Sequence, residues 1–236
     1  MTWPFENDTS GIVKRISNRS ISANRKRNIF IVLTIVLASA LLSAIVLYGF
    51  GVMQETQNRN QKTAQIMYHA ISEQQGQELY KQEEIAWVGE FFNAFSEQVN
   101  HSTVNFTYAN ADMLTSQSMP YSGDLPASEN EIVVQESFLD SLGYSNELGQ
   151  TIQIPFSDGT THDFKLTGIL DVKTGDIGRY TAIISKELVR QQYGDGGMID
   201  YYIGLKGAQN MSEEEATNYA NTLAQQLKIS DDNVIV

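Results

Sequence analysis

The sequence predicts an α+β protein, with one N-terminal transmembrane helix followed by a mixed α/β extracytoplasmic domain. Three observations carry that expectation. Ile29 to Met53 runs for 25 residues without a charged side chain. Beyond it, short β-forming runs alternate with helical patterns and are punctuated by Gly, Pro, Asn and Asp. Finally, Ser212 to Leu227 opens on a helix-start signal and keeps apolar residues at helical spacing.

At 1.5 Å per residue the apolar run reaches roughly 37 Å, enough to cross a bilayer core with some tilt. Its polar members Thr34, Ser39 and Ser43 can bond back to their own helix. A cleaved signal peptide competes, because Ala38-Ser39-Ala40 looks like a cleavage site. The run is about twice the usual length of a signal core and continues past that tripeptide, which favours an uncleaved anchor.

Charge fixes the expected orientation. Lys14, Arg15, Arg19, Arg25, Lys26 and Arg27 outnumber Glu6 and Asp8 before the span, giving +4, whereas the part beyond Met53 carries −16. Basic residues beside a span stay in the cytoplasm, so residues 1–28 are expected inside, 29–53 across the membrane and 54–236 outside. Thr9 or Ser10 can cap a helix in which Ile12, Val13, Ile16 and Ile21 share a face. Composition fits two readings equally: a helix in the headgroup layer, or a basic topogenic flank.

The chain has no cysteine, which excludes disulfides, thiol catalysis and Cys-ligated metals. The acidity of the exterior part argues against nucleic acid or anionic lipid as its ligand.

The elements follow in order. Gln54 to Lys62 extends the spanning helix. Ala64 to Ile71 reads as strand, Glu73 to Gln82 as helix, Ile85 to Phe95 and Val104 to Ala109 as strands. From Pro120 the runs shorten. Ile132 to Val134 is a strand, and Phe138 to Leu142 a helical turn or two stopped by Gly143. Thr151 to Phe156 and His162 to Ile169 alternate about Asp158-Gly159, a hairpin signal. Thr181 to Ser185 is strand, Ser185 to Tyr193 helix, Gly194 to Gly197 loop and Tyr201 to Leu205 strand. Ser212 with Glu215 forms a capping box, and Ala216, Ala220, Leu223 and Leu227 line one face. Asn233 to Val236 is expected to be a closing strand. The abrupt end on an apolar strand suggests a piece of a longer membrane protein.

No nucleophile elbow, zinc-protease, P-loop or dinucleotide motif is present, so catalytic, metal and cofactor residues are expected to be none. His69, His101 and His162 fall on separate elements without ligand spacing. Asp171, Asp176 and Asp195 fall in Gly-bearing loops as solvated turn residues. Trp87, Phe91, Phe92, Phe95, Tyr201 and Tyr202 offer either a groove for an apolar or peptide ligand or core packing, and strand aromatics favour the core.

The stretch Arg19-Ser20 through Ala23-Asn24-Arg25-Lys26-Arg27-Asn28, followed by the span, resembles the start of FtsX-like permeases of ABC transporters. Downstream, Gly123-Asp124-Leu125-Pro126, Asn130-Glu131-Ile132-Val133-Val134, Leu142-Gly143, Leu148-Gly149 and Gly168-Ile169 resemble the MacB-type extracytoplasmic core domain in order and spacing. The resemblance implies a smaller β-rich lobe, 119–197, inserted into a lobe built from 54–118 and 198–236. It implies a non-enzymatic permease subunit, without cofactor, driven by a separate cytoplasmic ABC ATPase and working as a homodimer or heterodimer. The substrates implied are peptides, antibiotics or lipid-linked molecules, exported or extracted. Gly123, Leu125, Pro126, Asn130, Glu131, Gly143, Gly149 and Gly168 would then mark the fold and not an active site. The family carries further spans after this domain. The rival reading is a single-span, membrane-anchored ligand-binding or sensor protein.

Overall fold

The computed structural model describes residues 9–172, 179–194 and 199–236. The chain divides into two units after Thr56.

The first unit is helical. Helix α1 (Ser10–Ala23) exposes Ile12, Val13 and Ile16. Its N-cap Thr9 sits in a helical conformation and makes no side-chain cap bond, and Ser10 is the first residue of the helix itself. The side chain of Ile21 lies outside the described residues. Asn24, at φ −105° and ψ 22°, breaks the helix before α2 (Arg25–Lys62) begins. Thr34 and Ser39 donate to the carbonyls of Phe30 and Val36, which satisfies both hydroxyls inside an apolar helix. The stretch from Arg25 to Gln54 is long and apolar enough to cross a membrane.

The second unit is built on one ten-stranded sheet. Its elements are β1 (Ile66–Ile71), α3 (Glu73–Leu79), β2 (Ile85–Val99), β3 (Ser102–Ala109), α4 (Ala111–Ser116), β4 (Tyr121–Gly123), β5 (Glu131–Gln135) and α5 (Glu136–Leu142), then β6 (Thr151–Pro155), β7 (Thr161–Leu170), β8 (Arg179–Ile184), α6 (Lys186–Tyr193), β9 (Ile199–Leu205), α7 (Glu213–Leu227) and β10 (Val234–Ile235). The strand order is β10-β1-β9-β2-β3-β8-β5-β7-β4, with β6 also pairing β7. Strands β4 to β8 therefore occupy one end of the sheet, and the strands from both flanks occupy the other. They meet at the parallel pair β3–β8, where Asn105 stands opposite Thr181.

Three departures from the sequence reading have local causes. Helix α4 was not expected; Asn110 caps it by accepting the Met113 N–H, a signal hidden by its shortness. Strand β4, three residues long, exists because it pairs with β7 at Tyr121 to Gly123. The closing strand keeps only Val234 and Ile235, since Asp231 to Asn233 coil into a 3₁₀ turn.

The hairpin has a three-residue loop: Gly159 N–H bonds to the Phe156 carbonyl and Phe156 N–H to the Thr160 carbonyl. Gly159 takes φ 86°, the left-handed position that closes such a loop. The capping box of α7 is formed, with Ser212 Oγ accepting the Glu215 N–H and Glu215 accepting the Ser212 N–H. Ala216, Ala220 and Leu223 are buried, and Leu227 packs at the edge of their cluster. The loop at 195–197, with Asp195, and Asp176 lie outside the described residues.

Helices cover the two faces unequally. On one face, α5 and α6 pack on the β3–β8–β5–β7 end and α3 and α7 on the β1–β9 end, making two apolar cores. On the other face the described helical cover is α4, whose Met113 and Leu114 join Ala109, Val133 and Ile183.

Candidate functional site

A charged seam runs between the two cores of the helix-covered face. Glu90 on β2 is only 4% exposed although it is an acid in an otherwise apolar run. It accepts hydrogen bonds from Tyr80 Oη at 2.9 Å and Tyr108 Oη at 2.6 Å. Lys186, at the start of α6, approaches it to 2.9 Å and Glu73 of α3 to 3.1 Å. Arg190, one turn further along α6, also pairs with Glu73. A buried carboxylate demands such partners, because leaving it unpaired costs several kcal/mol, of order 3–5. Burial, then the Glu90 charge beside them, pushes the Tyr80 and Tyr108 phenols far above their ordinary range, which keeps both as donors. Burial opposes ionisation of Glu73, but the bonds and charges of Lys186 and Arg190 outweigh it and hold that carboxyl below its usual value. The seam thus joins α3 and β2 to α6 by ion pairs. Sequence reasoning passed over it; the signal was a lone Glu inside IAWVGEFF.

The opposite face carries a cleft of about 400 Å³. Phe91, Met113, Met119 and Tyr202 form apolar walls, and Asn93, Asn105, Thr107 and Thr181 form a polar floor across three adjacent strands. Of the six aromatics singled out in the sequence, Phe91 and Tyr202 line this cleft, and their rings meet edge to face at 6.3 Å. Tyr201 is fully buried in the core under α3 and α7, and Phe95 stacks on Phe106 at 4.6 Å. Phe92 meets the Tyr193 ring at 5.2 Å, and Trp87 lies over Gly204.

Of the sequence-marked residues, Gly123, Asn130, Glu131, Gly149 and Gly168 meet on β7. Gly123, at φ 84°, leaves no room for a side chain against the Thr167 carbonyl, and Gly168 is similarly pressed by the Ser122 carbonyl. Asn130 accepts the Lys165 N–H at 2.7 Å and Gly149 N–H donates to Leu166 at 2.7 Å. Glu131 accepts from the Ala127 and Ser128 N–H groups and from Lys165 Nζ at 3.2 Å. Leu125, next to Pro126, packs against the core under α4, and Gly143 ends α5 in the left-handed conformation.

The six basic residues Lys14, Arg15, Arg19, Arg25, Lys26 and Arg27 belong to the helical unit, on α1 and the first turn of α2. The histidines stay apart: His69 Nδ1 lies 2.7 Å from Asp200, and His162 rests on the Phe156 ring at 4.3 Å. Among the described residues no group of three or more His, Asp or Glu side chains is placed to hold a metal.

The profile of the MacB-like periplasmic core domain matches residues 29–222, from the first residue of the apolar run into α7. The chain belongs to that family. The fold of this MacB-like domain is shared with three solved structures. The periplasmic region of MacB from Actinobacillus actinomycetemcomitans superposes with a TM-score of 0.50 at 12% identity, covering 72% of this chain and 86% of that one. The extracellular domain of the ABC-type transporter YknZ from Gram-positive bacteria gives 0.50 at 11%, covering 72% and 96%. A domain of a protein described as a permease from Porphyromonas gingivalis gives 0.51 at 8%, covering 75% and 88%. No curated protein matches the chain. At these identities the superpositions establish the fold of the MacB-like domain.

Proposed function

We propose that this chain is the N-terminal part of the permease subunit of an ABC transporter. A separate cytoplasmic ATPase hydrolyses ATP, and the MacB-like domain moves in response to export or extract a peptide, antibiotic or lipid-linked substrate. The observation that carries the reading is the reach of the family match, which takes in the apolar run together with the domain that follows. Helix α2 supports it, since it runs unbroken from Arg25 to Lys62, three residues before β1.

The remaining assignments belong to the same proposal. Residues 1–28 are cytoplasmic and held there by the six basic residues, 29–53 span the membrane, and 54–236 are extracytoplasmic. Residues 119–197 act as a lobe inserted into 54–118 and 198–236, and the glycines, Leu125, Pro126, Asn130 and Glu131 around β7 keep that lobe's shape. The subunit pairs with a second permease, as homodimer or heterodimer, and engages no nucleic acid. ATP turnover belongs to the partner and not to this chain.

The test is purification of the native full-length product from solubilised membranes. Stoichiometric recovery of a cytoplasmic ATPase, with ATP turnover abolished by changing its phosphate-binding lysine, supports the proposal. A product that stays alone, without any ATPase, overturns it in favour of a single-span ligand-binding or sensor protein.

A further inference from the structure

The cleft under α4 has a composition that its surroundings do not impose. The part of the chain beyond Met53 carries 26 acidic and 10 basic residues, yet none of the twelve residues lining the cleft is charged. Asn93 stands opposite Thr107, and Asn105 opposite Thr181, on neighbouring strands and on one face. Asparagine is disfavoured in strand interiors, and here two of them lie in the two longest neighbouring strands of the flank.

Cross-strand Asn and Thr commonly bond one another, but these do not. Asn105 Oδ1 accepts from Ser96 Oγ at 2.7 Å, and its amide nitrogen donates to none of the described residues. The side chains of Asn93, Thr107, Thr181 and Gln117 make no hydrogen bond with any described residue. Thr107 is only 5% exposed, and its hydroxyl is not sealed in the core. Donors and acceptors are thus set side by side and left open to the cleft. The walls opposite, Phe91, Met113, Met119 and Tyr202, offer contact area without charge. Gly89 lets α4 sit close to the sheet: a side chain there would press on Met113 and force it to give by a few tenths of an ångström.

We propose that this cleft binds an uncharged peptide segment, with main-chain amides on Asn93, Asn105, Thr107 and Thr181 and one bulky apolar side chain between Phe91, Met113 and Tyr202. Paired donors and acceptors match peptide groups, which present both. The described residues put no ion partner in the cleft, which selects against a charged side chain, whose desolvation would go uncompensated. The cleft volume lies within the range of about 300–1,000 Å³ found for ligand sites. This proposal stands without the transport reading, since it needs only the cleft.

The full chain, in phosphatidylcholine nanodiscs and labelled at its methionine methyl groups, tests it. N-acetyl-Ala-Leu-Ala-amide is the probe and N-acetyl-Ala-Glu-Ala-amide the charged control. Met113 and Met119 should shift and saturate below about 10 mM probe, with Met53 and Met211 unmoved. The control should bind at least about tenfold more weakly, and Asn93→Thr with Thr181→Val should weaken the neutral probe by a similar factor. Should the double variant lose its folded spectrum, Thr181→Val alone, which keeps shape and strand preference, is read in its place. Absence of saturation, equal binding of the charged peptide, or wild-type binding by the folded variant each overturns the proposal.

Discussion

Lys186 Nζ lies 2.9 Å from the Glu90 carboxylate, a contact between residues 96 positions apart that ties α6 to the middle of β2. The carboxylate is 5% exposed at its side chain and the ammonium 18%, so water screens neither well. Removing the cation leaves Tyr80 and Tyr108 as hydrogen-bond donors to Glu90 but takes away the charge paired with it. Lys186→Met is therefore expected to destabilise the domain by about 3 kcal/mol. Adding Glu90→Gln should recover much of that loss, and chemical denaturation of the single and double variants measures the coupling.

Gly76 and Tyr201 set the height of α3 above the sheet. A methyl group at Gly76 would occupy the same space as the Tyr201 ring. Gly76→Ala should cost about 1–3 kcal/mol by overpacking. The Tyr201 hydroxyl is buried without a hydrogen-bond partner among the described residues, so Tyr201→Phe should be neutral or stabilising by up to about 1 kcal/mol. Opposite signs at two touching residues would be read from their denaturation midpoints.

Acid should weaken the domain through Glu73 and Glu131. Lys186 and Arg190 hold Glu73 low against the opposing effect of its burial, and the Ala127 N–H, then Lys165, do so for Glu131. Each contributes stability that is complete above the ordinary glutamate value of about 4.3 and is lost as pH falls through the lower folded value. Denaturation midpoints between about pH 6 and pH 3 should drop, and Glu73→Gln should flatten the slope in that window. At the alkaline end the tyrosines act with the opposite sign. Burial raises Tyr80, Tyr108 and Tyr201, so their contribution is complete below about pH 10 and fades above it.

Orientation can be read directly because the chain has no cysteine of its own. With Ser10→Cys and Ser128→Cys made separately, a membrane-impermeant maleimide applied to intact cells should label residue 128 and leave residue 10 unlabelled. Changing Arg25, Lys26 and Arg27 to Glu should reduce or invert that pattern.

Much of this architecture was legible because its signals are local. The apolar run, the Asp158-Gly159 loop and the Ser212/Glu215 box each need only a few neighbouring residues to declare themselves. What escaped depends on partners far along the chain. Strand β4 has no pattern of its own and exists through β7. The seam needs Glu73, Glu90 and Lys186 together, and no spacing rule links three residues drawn from separate elements. The aromatic list named Phe91 and Tyr202 of the cleft, but not the Asn and Thr residues of its floor. Their alternation along β3 reads as an ordinary wetted strand face until β2 and β8 bring the second Asn and the second Thr alongside.

The position of β1 in the sheet has a consequence for how the domain is made. Its partners are β9 and β10, and the Ala70 N–H bonds to Asp200 across 130 residues. A chain released from the ribosome N-terminus first presents β1 almost at once and supplies its neighbours almost last. The strands from β4 to β8 complete most of their pairing within a short stretch and are placed to fold while synthesis continues. The β10–β1–β9 end of the sheet therefore stays open longest, and a nascent chain stalled before residue 199 should expose it to chaperones and proteases.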